Sequence, residues 1–415
     1  MGLRASQIKV GAGQSPGPRA FRFVLATGAA EGFGDVLTRT LLPILAVSAL
    51  GLGTGFVGVL NAIGLAAFLL LGMPLGTVID RTRNRRRAMG SATLARCIVP
   101  ALLAAGFCSG WLSGPVLLGA AVIVGVADVV FTTALGTVIP AVVPPQGLKT
   151  AFSRLAVVGQ TASTAAAAAG SAALALTGLP GIMLAAAASY AGSLLCQRGI
   201  AVGAALPARR RGAAGQFRSG FRTLRRTPAL WALTVSACLT NAGSMLGNTV
   251  LPVFILRDLA LDPGVYAALG VLSAAGGVAG AAAAPRLTAR VGLRGLRIGA
   301  ALLSVPAVAA AAACQWLPGP DTVWLAAQAL LWSSLVAVSA VAGAEVLPRT
   351  VAPEELATVG SAQRTLTLGV MPLAALLGGP AAAVAGPVPL LLVWAVLAGA
   401  AALPLLRTTS LSSFR

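Results

Sequence analysis

The sequence predicts an all-α integral membrane protein with twelve transmembrane helices in two pseudo-symmetric six-helix bundles. Three observations carry that prediction. Hydrophobic residues make up 57% of the chain and charged residues only 10%, against about 25% charged in an ordinary soluble domain. Apolar runs of roughly 20 residues, long enough to cross the hydrocarbon core as a helix, recur along the whole length. A short pattern near the end of the first run returns near the end of the seventh.

The runs are continuous rather than alternating, and rich in Ala, Leu and Gly, so helices are favoured over barrel strands. Mean hydropathy is +0.89. The predicted spans are 22–47, 54–78, 89–108, 115–139, 153–177, 180–203, 229–255, 265–284, 296–314, 322–344, 361–383 and 387–406. They group into a flexible tail (1–21), a first six-helix bundle (22–203), a basic connector (204–228), a second bundle (229–406) and a short tail (407–415). The first 20 residues are polar, basic and rich in Gly and Pro. They lack the apolar centre of a signal peptide and read as a cytoplasmic tail.

The net charge of +20 is not a nucleic-acid signal, because the bases lie between apolar runs and not on one soluble face. Twenty-six of them fall in one set of connections, among them Arg81, Arg83, Arg85, Arg86, Arg87 and Arg209, Arg210, Arg211. The opposite set holds only Arg257. The positive-inside rule then puts both termini and the connector in the cytoplasm. The five cysteines lie in apolar segments with no metal spacing and read as packing residues. The chain has no histidine, which removes histidine-based catalysis, metal binding and proton relay. No cofactor or metal is expected.

The returning pattern is "LTRTLLPILAV" (37–47) and "LGNTVLPVFIL" (246–256). Leu37, Thr40, Leu42 and Pro43 recur as Leu246, Thr249, Leu251 and Pro252. Likewise Arg81 and Arg85, after the second span, recur as Arg286 and Arg290, after the eighth. Two parallel six-helix repeats fit the architecture of secondary transporters.

The connection "GTVIDRTRNRRR" (76–87) carries a family resemblance through Gly76, Asp80, Arg81 and Arg85. It resembles the loop signature of the major facilitator superfamily, with Arg83 where the family usually has a second glycine. Segments 133–155, 217–241 and 346–379 are similar to the bacterial drug- and siderophore-exporter branch of that superfamily. The resemblance implies a gating role for the loop: Asp80 pairs with an arginine or with the amides opening the third span, where the helix dipole favours an anion. That contact latches the inner side while the outer side is open, and breaking it lets the halves rock. The alternative is that Asp80 only neutralises neighbouring bases. The fifth span, "VVGQTASTAAAAAGSAAL" (157–174), lacks the Gly-Pro pair common in proton-coupled drug exporters.

A charge at mid-helix costs on the order of 2.5–3.5 kcal/mol on insertion scales, so the few present are functional candidates. Glu31, Asp35 and Arg39 share one stripe of the first span at i, i+4, i+8. Asp35 and Arg39 can neutralise each other locally, which leaves Glu31 without a partner in its own turn. Glu31 and Asp35 are candidates for proton coupling; the alternative is a structural ion-pair ladder. Asp128 in the fourth span is a third candidate, or the partner of Arg96 in the third. Asn241, Ser244 and Asn248 share a face of the seventh span, and Gln328 and Trp332 lie on the tenth. These are candidate substrate contacts, with interhelical hydrogen bonding as the plain alternative.

No phosphate-cradling Gly-Lys-Ser/Thr loop and no nucleophile–base pair is present. The expected protein is therefore not an enzyme. It is a secondary transporter, exporting a small hydrophobic or amphipathic compound against protons by alternating access. An importer, a uniporter or a non-transporting scaffold on the same fold is the alternative. Its expected partners are the small-molecule substrate, protons and lipid, with no nucleic acid, and a monomer suffices. Arg far exceeds Lys, and Ala and Gly abound, which points to a GC-rich bacterial genome and a bacterial cytoplasmic membrane.

Overall fold

Among the described residues the seven with a left-handed backbone, Gly51, Gly110, Gly178, Ala260, Gly292, Gly319 and Gly386, all fall in gaps between predicted spans. The computed structural model describes residues 18–81, 85–143, 148–200, 213–344, 346–351 and 355–408, and among these there is no strand. The helices are α1 (Pro18–Ile44), α2 (Thr54–Arg81), α3 (Arg85–Ser109), α4 (Gly114–Val142), α5 (Leu148–Arg198) and α6 (Ala213–Arg226). They continue with α7 (Pro228–Val253), α8 (Pro263–Ala312), α9 (Asp321–Gly343), α10 (Val346–Thr350), α11 (Leu356–Ala385), α12 (Pro387–Ala400) and α13 (Leu403–Leu406).

Two of these contain a break. Gly178 (φ 68°) divides α5 and Gly292 (φ 73°) divides α8, so each is two spans joined at a glycine. A Cβ disfavours that backbone region, and glycine enters it freely. Nine helices among the described residues are long and apolar enough to cross a membrane, with the whole of α8 counted once. Side chains such as Leu176 and Val384 are 84% and 91% exposed, as lipid-facing residues are. The basic connector is partly helical. α6 packs on α11, with Leu224 buried and Phe221 edge-on to Trp231 at 6.0 Å.

In the first half α1 lies along α5, and α3 and α4 close the bundle with α2. Its core joins Leu37, Leu41, Leu45, Val57, Leu103 and Ile182. In the second half α7 packs on α11 and α12, and α8 on α9 and α12. Its core joins Val250, Phe254, Val308, Leu325, Trp332 and Trp394.

The repeat seen in sequence is a repeat of backbone. After Pro43, α1 passes into a π-helical turn, Leu45–Ala49; after Pro252, α7 does the same at Phe254–Asp258. Leu50 N–H donates to Leu45 O at 3.1 Å, and Leu259 N–H to Phe254 O at 2.9 Å. Gly51 (φ 62°) and Ala260 (φ 49°) then occupy equivalent left-handed positions.

The halves meet along a seam that gathers at the end of the bundle carrying the α1–α2 and α7–α8 connections. There α2 crosses α11, and the two π-helical turns touch. Thr54 Oγ1 donates to Gly379 O at 3.1 Å, and Asn61 Nδ2 to Asn248 O at 3.3 Å. Backbones approach closely at this crossing because both sides are glycine. A Cβ on Gly58 would stand 2.6 Å from Ala375 O and 2.9 Å from Gly379 Cα, the small-residue logic of membrane helix contacts.

Candidate functional site

The charged stripe of α1 is held by three other helices. Around it α1 is built of small residues, so its neighbours come close. A Cβ on Gly34 would stand 2.8 Å from the ring of Tyr190, and one on Gly28 2.6 Å from Leu155. Both parts of α5 therefore come close to α1, and the second presents Tyr190, Ser193 and Gln197, spaced i, i+3, i+7 on one face. Thr93 and Arg96 come from one face of α3, and Asp128 and Phe131 from one face of α4.

Arg96 is fully buried and sits at the centre. Its Nη1 donates to Glu31 Oε2 at 2.6 Å. Its Nη2 pairs with Asp35 Oδ1 and lies 3.7 Å from Asp128 Oδ1. The guanidinium stacks on the rings of Tyr190 (4.8 Å) and Phe131 (5.5 Å), contacts that favour a desolvated cation. Glu31 Oε1 accepts from Thr93 Oγ1 and Ser193 Oγ, both at 2.6 Å. Gln197 Nε2 in turn donates to Thr93 Oγ1 (2.8 Å) and Ser193 Oγ (3.1 Å). With both hydroxyl oxygens accepting from the amide, both hydroxyl hydrogens point at Glu31. The network is thus directed from Gln197 through two hydroxyls onto a carboxylate, which it holds as an acceptor.

Asp35 is bound differently. It accepts from Tyr190 OH at 2.8 Å. It does not pair with Arg39, although i, i+4 spacing permits it. Arg96, brought in by α3, is buried and must be compensated, and Arg39 turns instead to Asp128 Oδ2 at 3.6 Å. Exposure rises across the cluster: 3% for the side chain of Glu31, 25% for Asp35, 23% for Asp128 and 72% for Arg39. At the buried end Glu31 accepts three hydrogen bonds, while Arg96 Nε and Gln197 Oε1 are buried without a hydrogen-bond partner among the described residues; the other end is partly exposed. Three carboxyl groups, Glu31, Asp35 and Asp128, face two guanidinium groups, Arg96 and Arg39, in this cluster.

The second half has no such cluster among the described residues. Asn241 Nδ2 donates to Thr367 O on α11 at 2.8 Å, so its amide serves a helix contact. Ser244 is half-buried and Asn248 is exposed on the same face of α7. Gln328 is buried. Trp332 is buried in the core, edge-on to Trp394 at 4.8 Å and 82°. Arg297, on α8, is also buried. Its Nη1 donates to Ser339 O at 2.8 Å, and no carboxylate pairs with it among the described residues.

Gly76, Asp80 and Arg81 lie on the last turns of α2 and Arg85 opens α3, but the 82–84 connection and these side chains lie outside the described residues. Sequence reasoning missed Thr93, Tyr190, Ser193 and Gln197. The signal was present: Tyr190, Ser193 and Gln197 have the same polar i, i+3, i+7 spacing as Asn241, Ser244 and Asn248. No group of three or more metal-ligating side chains occurs among the described residues.

Residues 24–375 match the family profile described as "Major Facilitator Superfamily". No curated protein sequence matches the chain at a significant level. Among solved structures, a variant of the nucleoside transporter NupG superposes with a TM-score of 0.73 at 14% identity, covering 93% of this chain and 99% of that one. A bacterial homologue of the iron transporter ferroportin in an inward-facing state gives 0.71 at 15% identity, covering 94% and 99%. The same homologue in an outward-facing state gives 0.61 at 17% identity, covering 94% and 100%.

Proposed function

The chain belongs to the Major Facilitator Superfamily and is a membrane transporter, and from that premise we propose that it exports a small hydrophobic or amphipathic compound by proton-coupled alternating access. The observation that carries the coupling is the charge balance of the α1 cluster. Three carboxylates against two guanidinium groups become neutral on taking up one proton. Asp35 and Asp128, a quarter exposed, are the groups a proton can reach. Glu31, with three donors aimed at it, anchors Arg96. Protonating Asp35 weakens its hold on Arg96 and so loosens α1 from α3. This ties proton occupancy to the packing of the helices that border the space between the halves.

The distribution of bases supports a chain with both termini in the cytoplasm of a bacterial cell and the seam at the outer end. The space between the halves then opens inward. The better superposition on the inward-facing ferroportin homologue, 0.71 against 0.61, agrees with that reading. Substrate enters from the cytoplasm or inner leaflet while the cluster is deprotonated, the halves rock, and an external proton accompanies release and resetting. The exporter assignment rests on the sequence similarity of 133–155, 217–241 and 346–379 to drug and siderophore exporters. Asn241, Ser244, Asn248, Gln328 and Trp332 in the second half are the proposed substrate contacts. A uniporter or importer is the second reading, favoured by the absent Gly-Pro pair in the fifth span.

The test is proton movement in liposomes with an imposed pH gradient and a pH-sensitive dye. Wild type is compared with Asp35→Asn and Glu31→Gln across a panel of hydrophobic antibiotics and siderophore-like compounds. Export coupled to protons predicts a compound that dissipates the gradient only with Asp35 intact. Uptake of a compound with no proton movement, in wild type and variants alike, would establish the uniporter reading instead.

A further inference from the structure

The chain keeps almost all its bases at one end, yet one arginine, Arg257, stands at the other. It does not lie in a free loop. It closes the second π-helical turn, where the two halves meet, and borders a cavity of about 540 Å³. Val47, Ser48 and Gly51 of the first half line one side; Leu256, Arg257 and Leu261 of the second line the other. The guanidinium reaches across the seam: a Cβ on Gly53, in the first half, would stand 3.8 Å from its Nη1. Among the described residues Arg257 forms no hydrogen bond or ion pair. Arg257 and its neighbour Asp258 are both exposed and interact electrostatically without a direct ion pair, and Asp262 directs its carboxylate to the N–H of Gly264 at 2.6 Å.

An exposed guanidinium that makes no hydrogen bond or direct ion pair, beside Val47, Leu256 and Leu261, is complementary to an anionic group on an apolar body. We propose that this cavity binds an organic anion at the outer end and that its occupancy holds the seam closed. The sign follows from the lining. Both halves supply walls, so opening the seam separates Arg257 from Gly51 and Val47 and dismantles the site. A ligand that needs both walls binds the outer-closed state and shifts the population towards it. Such an anion slows resetting from outside without entering the transport path. This rests on the alternating-access reading above.

The probe is 2-naphthoate, with 2-naphthamide and 2-naphthylmethylamine as neutral and cationic controls. Binding is measured on the full chain in phosphatidylcholine nanodiscs. Spin labels at Trp111→Cys and Trp316→Cys, both exposed at the outer end, report the distance between halves in a cysteine-free background. The expected result is saturable binding of 2-naphthoate and not of the controls. Arg257→Gln should weaken it at least tenfold, Arg257→Lys should retain most of it, and ligand should shift the label distances to the shorter population. Adding phosphatidylglycerol distinguishes the source of the natural anion. Weaker apparent binding in wild type alone identifies a lipid headgroup as competitor; unchanged binding identifies a soluble anion. Equal binding by Arg257→Gln, or distances that respond to pH but not to 2-naphthoate, overturns the proposal. A single distance in every condition, including pH 5 and pH 8, overturns alternating access itself, while the binding comparison still judges the anion site.

Discussion

α1 and α7 are the same helix built twice and put to different use. Both end in a proline, a π-helical turn and a left-handed residue. Both have a glycine, Gly34 or Gly243, under an aromatic ring from the last long helix segment of their half, Tyr190 or Trp394. At the positions where α1 carries Glu31, Asp35 and Arg39, α7 carries Thr240, Ser244 and Asn248. The charges of α1 stand because α3, α4 and α5 supply Arg96, Asp128 and Tyr190. Tyr190 gives its hydroxyl to Asp35, whereas the indole N–H of Trp394 is buried without a partner. The difference teaches that the duplication fixes the frame, while neighbours decide whether a polar position can be charged. On the proposed mechanism, coupling is the business of the first half.

Breaking the charged half should have the largest effect. Arg96→Met leaves Glu31 and Asp35 uncompensated, a loss of about 3–5 kcal/mol, visible as a lower melting temperature in detergent. Arg297→Met removes the other buried arginine, which has no carboxylate partner among the described residues, and should stay within about 1 kcal/mol of wild type in the same assay. Equal losses at the two sites would erase the contrast.

The seam comes next. Gly58→Ala puts a methyl group against Ala375 O and should destabilise the closed seam by about 1–3 kcal/mol, the usual range for overpacking. The spin-label distances across the outer end should lengthen. On the neutral half, Asn248→Ala should change KM for a transported compound several-fold while leaving the protons moved per substrate unchanged. A changed stoichiometry would place coupling in both halves. The smallest effect sharpens the duplication itself. Ala260→Gly relieves a left-handed alanine and should stabilise by about 1 kcal/mol, and Gly51→Ala should lose a similar amount.

Much of the frame is legible in the chain. Among the described residues the six glycines with left-handed backbone, Gly51, Gly110, Gly178, Gly292, Gly319 and Gly386, all fall in gaps between the apolar runs, because a left-handed backbone at a chain reversal favours a residue free of a Cβ. The repeat was legible in "LTRTLLPILAV" and "LGNTVLPVFIL", since a proline and its flanking leucines mark the same helix exit twice. Glu31, Asp35, Arg39, Arg96 and Asp128 stood out because charge in hydrocarbon is rare. Their partners were less visible. Thr93, Ser193 and Gln197 are ordinary polar residues whose importance depends on which helix faces α1.

The sequence by itself therefore determined the number of crossings, their polarity relative to the bases and the positions of the costly charges, all consequences of one-dimensional hydropathy and charge. Only the tertiary structure decided that Arg96 joins Glu31 to Asp35, that Arg39 turns from Asp35 to Asp128, and that Arg257 borders a cavity between the halves. Those outcomes depend on how helices distant in the chain are rotated and how closely their small residues let them approach, and no periodicity within a single span encodes that.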